Sequence, residues 1–179
     1  MTSQMVSKVE GNVLILEREF NAPRELVFQA FSQAEHLKNW WGPKGWTIPV
    51  CHVDFQVGGV WHYCMKCEDP NQGDFYGMES WGKAVYREIV EPDKIVYVDY
   101  FSDAEGNVAE NMPSTNVTLT FIQTDSGTKV ISRGEYAKAE ALQQVMDMGM
   151  LQGITETWNR LVDHLESIQK NDTKGAENQ

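Results

Sequence analysis

The sequence predicts an α+β domain in which a curved antiparallel sheet wraps around a long C-terminal helix. Apolar and polar residues alternate with period two along six consecutive stretches between residues 47 and 136. Short turn-forming separators join most of these stretches, which forces antiparallel neighbours, since parallel pairing needs a longer crossover. From residue 137 the apolar spacing changes to three and four residues, the mark of an amphipathic helix.

In chain order, 12–20 reads as a strand rich in Val, Leu and Ile. Asn21-Ala22-Pro23 then starts a helix over 23–30, with Asn21 as side-chain cap and proline in the first turn, where its missing N–H costs nothing. Ser32-Gln33-Ala34-Glu35 has the spacing of a capping box opening a second helix, which stops before Gly42-Pro43. Strands are expected over 47–56, 60–67, 79–90, 94–101, 115–123 and 127–136. One helix is expected over 137–168, its stripe carrying Leu142, Met146, Gly149, Gly153, Thr157, Leu161, Leu165 and Ile168. The order is therefore strand, two helices, six strands, long helix. An apolar sheet face and an apolar helix stripe are both buried only if one wraps the other. The polar ends, 1–11 and 169–179, read as disordered, leaving one domain over 12–168.

Composition narrows the function. The 179 residues carry a formal net charge of −11, which repels nucleic acid and anionic membranes, and no basic patch offsets it. No run approaches the roughly 20 apolar residues that span a bilayer, so no membrane insertion is expected. The N-terminus lacks the apolar stretch of a signal peptide. Three cysteines, an odd number, suit reduced thiols in a cytoplasm. Cys64-Met65-Lys66-Cys67 has metal or redox spacing, yet residues three apart on a strand point to opposite faces. The cysteines are read as structural, with Cys51, His52 and His62 as the residues that would have to complete a metal site. No cofactor is expected.

Around Gly58-Gly59, Cys51, Val53 and Phe55 alternate before the turn, and Trp61, Tyr63 and Met65 after it. Both sets are expected on the inner face, joined by a three-residue loop or a bulge, with His52, Asp54, His62 and Cys64 outside. Gly149 and Gly153 cost a helix interior roughly 1 kcal/mol each relative to alanine, so something must compensate. Close packing accounts for Gly149, and room for a ligand beside the thioethers of Met146 and Met150 for Gly153. Trp40-Trp41 either covers a pocket mouth or plugs the open end of the sheet. Glu79, Asp99 or Glu135 could supply acid–base chemistry inside a cavity, though rim charges are the simpler reading. The predicted ligand-binding residues are Trp61, Tyr63, Met65, Trp81, Tyr97, Met146, Met150, Gly153 and Trp158; no catalytic and no metal residue is assigned.

Five stretches in this order carry a family resemblance. They are 21–28 (Asn-Ala-Pro-Arg-Glu-Leu-Val-Phe), Glu35-His36-Leu37 leading to Trp40-Trp41-Gly42-Pro43, and Val57-Gly58-Gly59-Val60-Trp61 ending in Met65. Tyr86-Arg87-Glu88-Ile89 before Pro92 and Met146-Asp147-Met148-Gly149-Met150 before Trp158 complete the set. The chain resembles the START-like superfamily (Bet v 1-like, or SRPBCC), in the branch named after the C-terminal domain of the activator of heat-shock-protein-90 ATPase. The resemblance implies a helix-grip fold with a cavity between sheet and helix, in which relatives hold lipids, polyketides, flavonoid-like aromatics or hormones. It brings no shared catalytic motif. The expectation is a binder of a small apolar lipid-, polyketide- or flavonoid-like ligand. The alternatives are an enzyme acting on a similar molecule (a cyclase, dehydratase or hydrolase) and a co-chaperone-like protein-interaction domain.

Overall fold

The computed structural model describes residues 4–177, with side chains to residue 171. Eight strands form one antiparallel sheet in the order β1-β2-β8-β7-β6-β5-β4-β3. They are β1 (Val6–Glu10), β2 (Val13–Phe20), β3 (Trp46–Val53), β4 (Val60–Cys67), β5 (Glu79–Val90), β6 (Lys94–Ser102), β7 (Thr115–Gln123) and β8 (Thr128–Glu135). Helices α1 (Arg24–Ser32) and α2 (Ala34–Trp40) fill the connection from β2 to β3, and α3 (Ala139–Asp147) and α4 (Met150–Glu177) close the concave face. No helix among the described residues is long and apolar enough to cross a membrane.

Alternation sets the faces. Leu14, Leu16 and Phe20 of β2, Leu119 and Phe121 of β7 and Val130 of β8 pack inward with Phe28, Phe31, Trp158, Leu161 and Leu165 from the helices. Phe31 is the hinge of this core, its ring edge-on to Trp40, Phe121 and Trp158 at 4.9, 5.4 and 6.2 Å. Two irregularities curve the sheet. In β3 the register slips between Thr47 and Val50, where Pro49 has no N–H to offer an edge strand, and in β5 it slips between Tyr86 and Glu88. At the Gly58-Gly59 hairpin, Cys51 opposes Tyr63 and Val53 opposes Trp61, so both sets share the inner face as expected. The connection is longer than expected, running from residue 54 to 59.

Four expectations need correcting. The N-terminal end is not wholly unstructured: Val6–Glu10 pairs with β2 as an edge strand, and residues 1–3 lie outside the described residues. All of β1 is exposed, so it carries no burial alternation to read. At the other end, helix continues through 169–177, with 178–179 outside the described residues. The C-terminal element is two helices rather than one, broken at Met148-Gly149, where Gly149 adopts a φ of +87° that L-residues avoid. Finally, neither cap operates. Helix α1 begins after Pro23 without a side-chain cap, and the Ser32 hydroxyl bonds back to the Phe28 carbonyl at 2.9 Å from inside α1.

Polar contacts tie α4 to the rest, among them two to the α2 region and the loop after it. The Arg160 guanidinium reaches the carbonyls of Gly42 at 2.8 Å and Trp46 at 3.0 Å, fixing the loop between α2 and β3. His36 Nδ1 and His164 Nε2 share a hydrogen bond of 2.9 Å between α2 and α4.

Candidate functional site

A cavity of about 350 Å³ lies between the inner face of the sheet and the α3–α4 junction. It exists because the helices diverge there: the chain turns at Gly149, and Gly153 in the next turn presents no side chain to the sheet. A Cβ built at Gly153 meets nothing within 4 Å. The opposite wall is made by inward positions of β2, β4, β6 and β7, among them Leu14, Tyr63, Tyr97, Phe101 and Val117. Trp41 and Pro43, on the loop held by Arg160, form one rim.

Of the predicted residues, Tyr63, Met65, Trp81, Tyr97, Met150 and Gly153 border this cavity. Three others do not. Trp158 is buried against Phe20 and Phe31, and Trp61 is buried edge-on to Trp41 at 4.8 Å; both are core. Met146 packs on the core at the end of α3, before the chain turns toward the cavity. Trp81 borders it although its ring stacks on the outer face against His62 at 5.2 Å. The adjacent tryptophans divide the two roles weighed for them. Trp40 is fully buried and donates its indole N–H to the Ala30 carbonyl at 2.9 Å, plugging the core, while Trp41 borders the cavity. The Trp41 indole N–H is buried without a hydrogen-bond partner.

Among the described residues, Asp99 is the one acidic residue bordering the cavity, and no Lys, Arg or His lines it. It stands at an inward position of β6, opposite Ala84 on β5 and Thr115 on β7, with Tyr97 and Phe101 two residues away on the same face. Tyr63 reaches it across an intervening strand. Tyr63 opposes Gly82 on β5, and a Cβ at Gly82 would overlap the tyrosine ring and hydroxyl. The ring therefore lies over the bare backbone of Gly82, and its hydroxyl donates a long hydrogen bond of 3.4 Å to Asp99 Oδ1. Burial among these groups pushes the Asp99 carboxyl up to about 7, against the opposing pull of the Tyr63 hydrogen bond. Burial, then the Asp99 charge, drives Tyr63 and Tyr97 well above the ordinary phenol range, so both remain neutral. Glu79 and Glu135 do not join Asp99: Glu79 accepts from Cys64 at 3.4 Å, and Glu135 meets Arg133 at 3.4 Å.

The cysteines stay apart in role. Cys64 and Cys67 are both buried, the first against Glu79 and the second over the Asp69 carbonyl, and burial raises the Cys64 thiol to about 12. Among the described residues, no three of His, Cys, Asp and Glu gather in a metal-binding group.

Residues 21–166 match the family model described as Activator of Hsp90 ATPase homolog 1-like protein. The chain belongs to this family. Solved structures of similar proteins agree along nearly the whole chain. A Mycobacterium smegmatis protein is 28% identical with a TM-score of 0.79, the match covering 92% of this chain and 97% of the other. A Staphylococcus epidermidis protein is 29% identical with a TM-score of 0.77, covering 91% and 94%. An Arthrobacter aurescens protein at 24% identity shares the fold with a TM-score of 0.79, covering 93% of each chain. No curated protein matches. The family's helix-grip architecture is thus present here in full, with the cavity between its two parts.

Proposed function

We propose that this chain binds a small, apolar, ring-bearing molecule in the cavity under α3 and α4. The carrying observation is the open space over Gly153, faced by Tyr63, Tyr97 and Phe101. Its volume of about 350 Å³ sits near the lower end of the ~300–1,000 Å³ usual for small-molecule sites. That open volume is also what weighs against a co-chaperone-like docking domain, which calls for a filled core and an exposed apolar patch.

The test is a titration of lipid-, polyketide- and flavonoid-like compounds against intrinsic tryptophan emission, with Trp41 at the rim as reporter. Saturable quenching is expected. Gly153→Leu places a side chain into the open space and should abolish binding while thermal stability holds or rises. A destabilised Gly153→Leu protein that still binds ligand would defeat the reading.

A second reading, chemistry on the bound molecule, is favoured by Asp99 alone. A carboxyl near pH 7 beside a phenol donor has the properties of an acid–base group inside an apolar site. Incubation of bound compounds with the protein and with Asp99→Asn, followed by mass analysis, separates turnover from storage.

A further inference from the structure

We propose that the cavity selects ligands carrying a protonated amine on their apolar body, with the Asp99 carboxylate and the surrounding tyrosine rings receiving the ammonium group. The inference rests on the cavity-binding reading above and specifies the head group.

The charge inventory of the cavity points to this class. Among the described residues its lining contains one carboxylate and no basic side chain, so none of them offers Asp99 a counter-ion from within the cavity. Its one hydrogen bond from the protein, from Tyr63, is long at 3.4 Å. The other groups facing it are phenols and hydroxyls: Tyr97 on the same strand, Thr115 on β7, and Tyr136 just beyond β8. From the helices, Met150, Gly153, Ile154 and Thr157 bring no charge. Asp99 is half-buried at the cavity wall, and a carboxylate drawn partly out of water there gains from a cation that a ligand brings.

The rings add to the preference. Tyr63, Tyr97 and Tyr136 all border the cavity, and a cation seated over the face of any of these rings gains from its quadrupole as well as from Asp99. A carboxylic-acid ligand would place a second negative charge beside Asp99 in a low-dielectric space, which is unfavourable. The net charge of −11 acts at longer range in the same sense, drawing cations toward the protein and turning anions away. A neutral alcohol can satisfy Asp99 with one hydrogen bond but forgoes both the ion pair and the cation–ring attraction.

Three compounds with one body and different heads separate these cases: phenylbutylamine, phenylbutanol and phenylbutyrate, titrated calorimetrically into the full chain at pH 8. The amine should bind more tightly than the alcohol by about tenfold or more, the margin typical of a hydrogen bond gaining a full charge, and the acid should bind least. Amine affinity should rise as the solution passes from pH 6 to pH 8 and Asp99 ionises, while alcohol affinity does not follow that rise. Asp99→Asn should bring the amine-to-alcohol affinity ratio to within about threefold of unity. That ratio is internal to the variant and so does not depend on its stability.

An alcohol that binds as tightly as the amine, or an amine preference that survives Asp99→Asn and is flat with pH, overturns the inference while leaving a binding cavity. Silence from all three compounds at millimolar concentration removes the cavity-binding reading and the inference together.

Discussion

Glycines 149 and 153 lie four residues apart, and alanine substitution is expected to move stability in opposite directions at the two positions. Gly149 ends α3 with its N–H donating to the Met146 carbonyl at 3.0 Å and a φ of +87°. Space is not its constraint, since a Cβ there meets nothing within 4 Å. Conformation is, and holding an L-residue in that region costs about 1–2 kcal/mol. Gly153 stands in the first turns of α4, where its N–H donates to the Gly149 carbonyl at 3.1 Å. A Cβ there also meets nothing, but the backbone is helical, so alanine removes the helix penalty of glycine, up to about 1 kcal/mol. The two variants should therefore differ by roughly 1–3 kcal/mol around the wild-type value. Urea unfolding at 25 °C with unchanged m-values is the assay, and thermal midpoints should separate by about 2–12 °C for a chain of this size. Two losses of similar size would refute the reasoning, because they would mean that Gly153 is in tight contact with the sheet and that the cavity floor is closed.

Asp99→Asn should change the pH dependence of stability. The folded carboxyl lies at about 7, above its ordinary 3.8, so wild-type stability is complete below about pH 4 and falls as pH rises through 7. Asparagine removes that fall, by no more than about 4 kcal/mol and, with water screening in the cavity, on the order of 1–2. The His36–His164 pair titrates at lower pH and is common to both proteins, so it cancels in the difference; parallel stability curves from pH 5 to 8 would contradict the burial of Asp99. Arg160→Ala should lower stability by about 1.5–3 kcal/mol by removing the charged donor shared by the Gly42 and Trp46 carbonyls. Arg160→Lys should recover only part of it, since an ammonium lacks the planar fork; amide exchange across 41–46 should accelerate in both, and an unchanged rate would mean that the loop holds itself.

The element order and the inward faces of the strands were legible because both are written in periodicity. That Cys51, Val53, Trp61 and Tyr63 share one face followed from alternation, while the register that sets Cys51 opposite Tyr63 did not. What periodicity cannot carry was missed. An edge strand with every residue exposed, as Val6–Glu10 is, has no buried face to alternate. Gly149 sits in phase with the buried stripe, so it read as helix interior, and only its positive φ shows that the chain turns there. Ser32 and Glu35 have the spacing of a capping box, but α1 runs through Ser32, where the hydroxyl finds a nearer partner in its own helix.

The site divides along the same line. Parity assigns a residue to the inner face, as it did Tyr63 and Met65; it does not say how far along the sheet the cavity begins. Trp61 is two residues from Tyr63 on the same face, yet it is covered by Trp41 and belongs to the core. Trp158 lies five residues beyond Gly153, where α4 has already descended onto Phe20 and Phe31. Asp99 is the instructive case. Within Tyr97-Val98-Asp99-Tyr100-Phe101 it shares the inward parity of two aromatic residues, so the pattern that places the rings in the interior places a carboxylate there too. A rim position would have dissolved that conflict, and the sequence contains nothing that measures depth. The register supplies the depth by setting Ala84 and Thr115 on either side, small enough to leave the carboxyl facing open space. An inward acid among rings violates the rule that builds the rest of the sheet, and such violations are expected where a protein meets something other than itself.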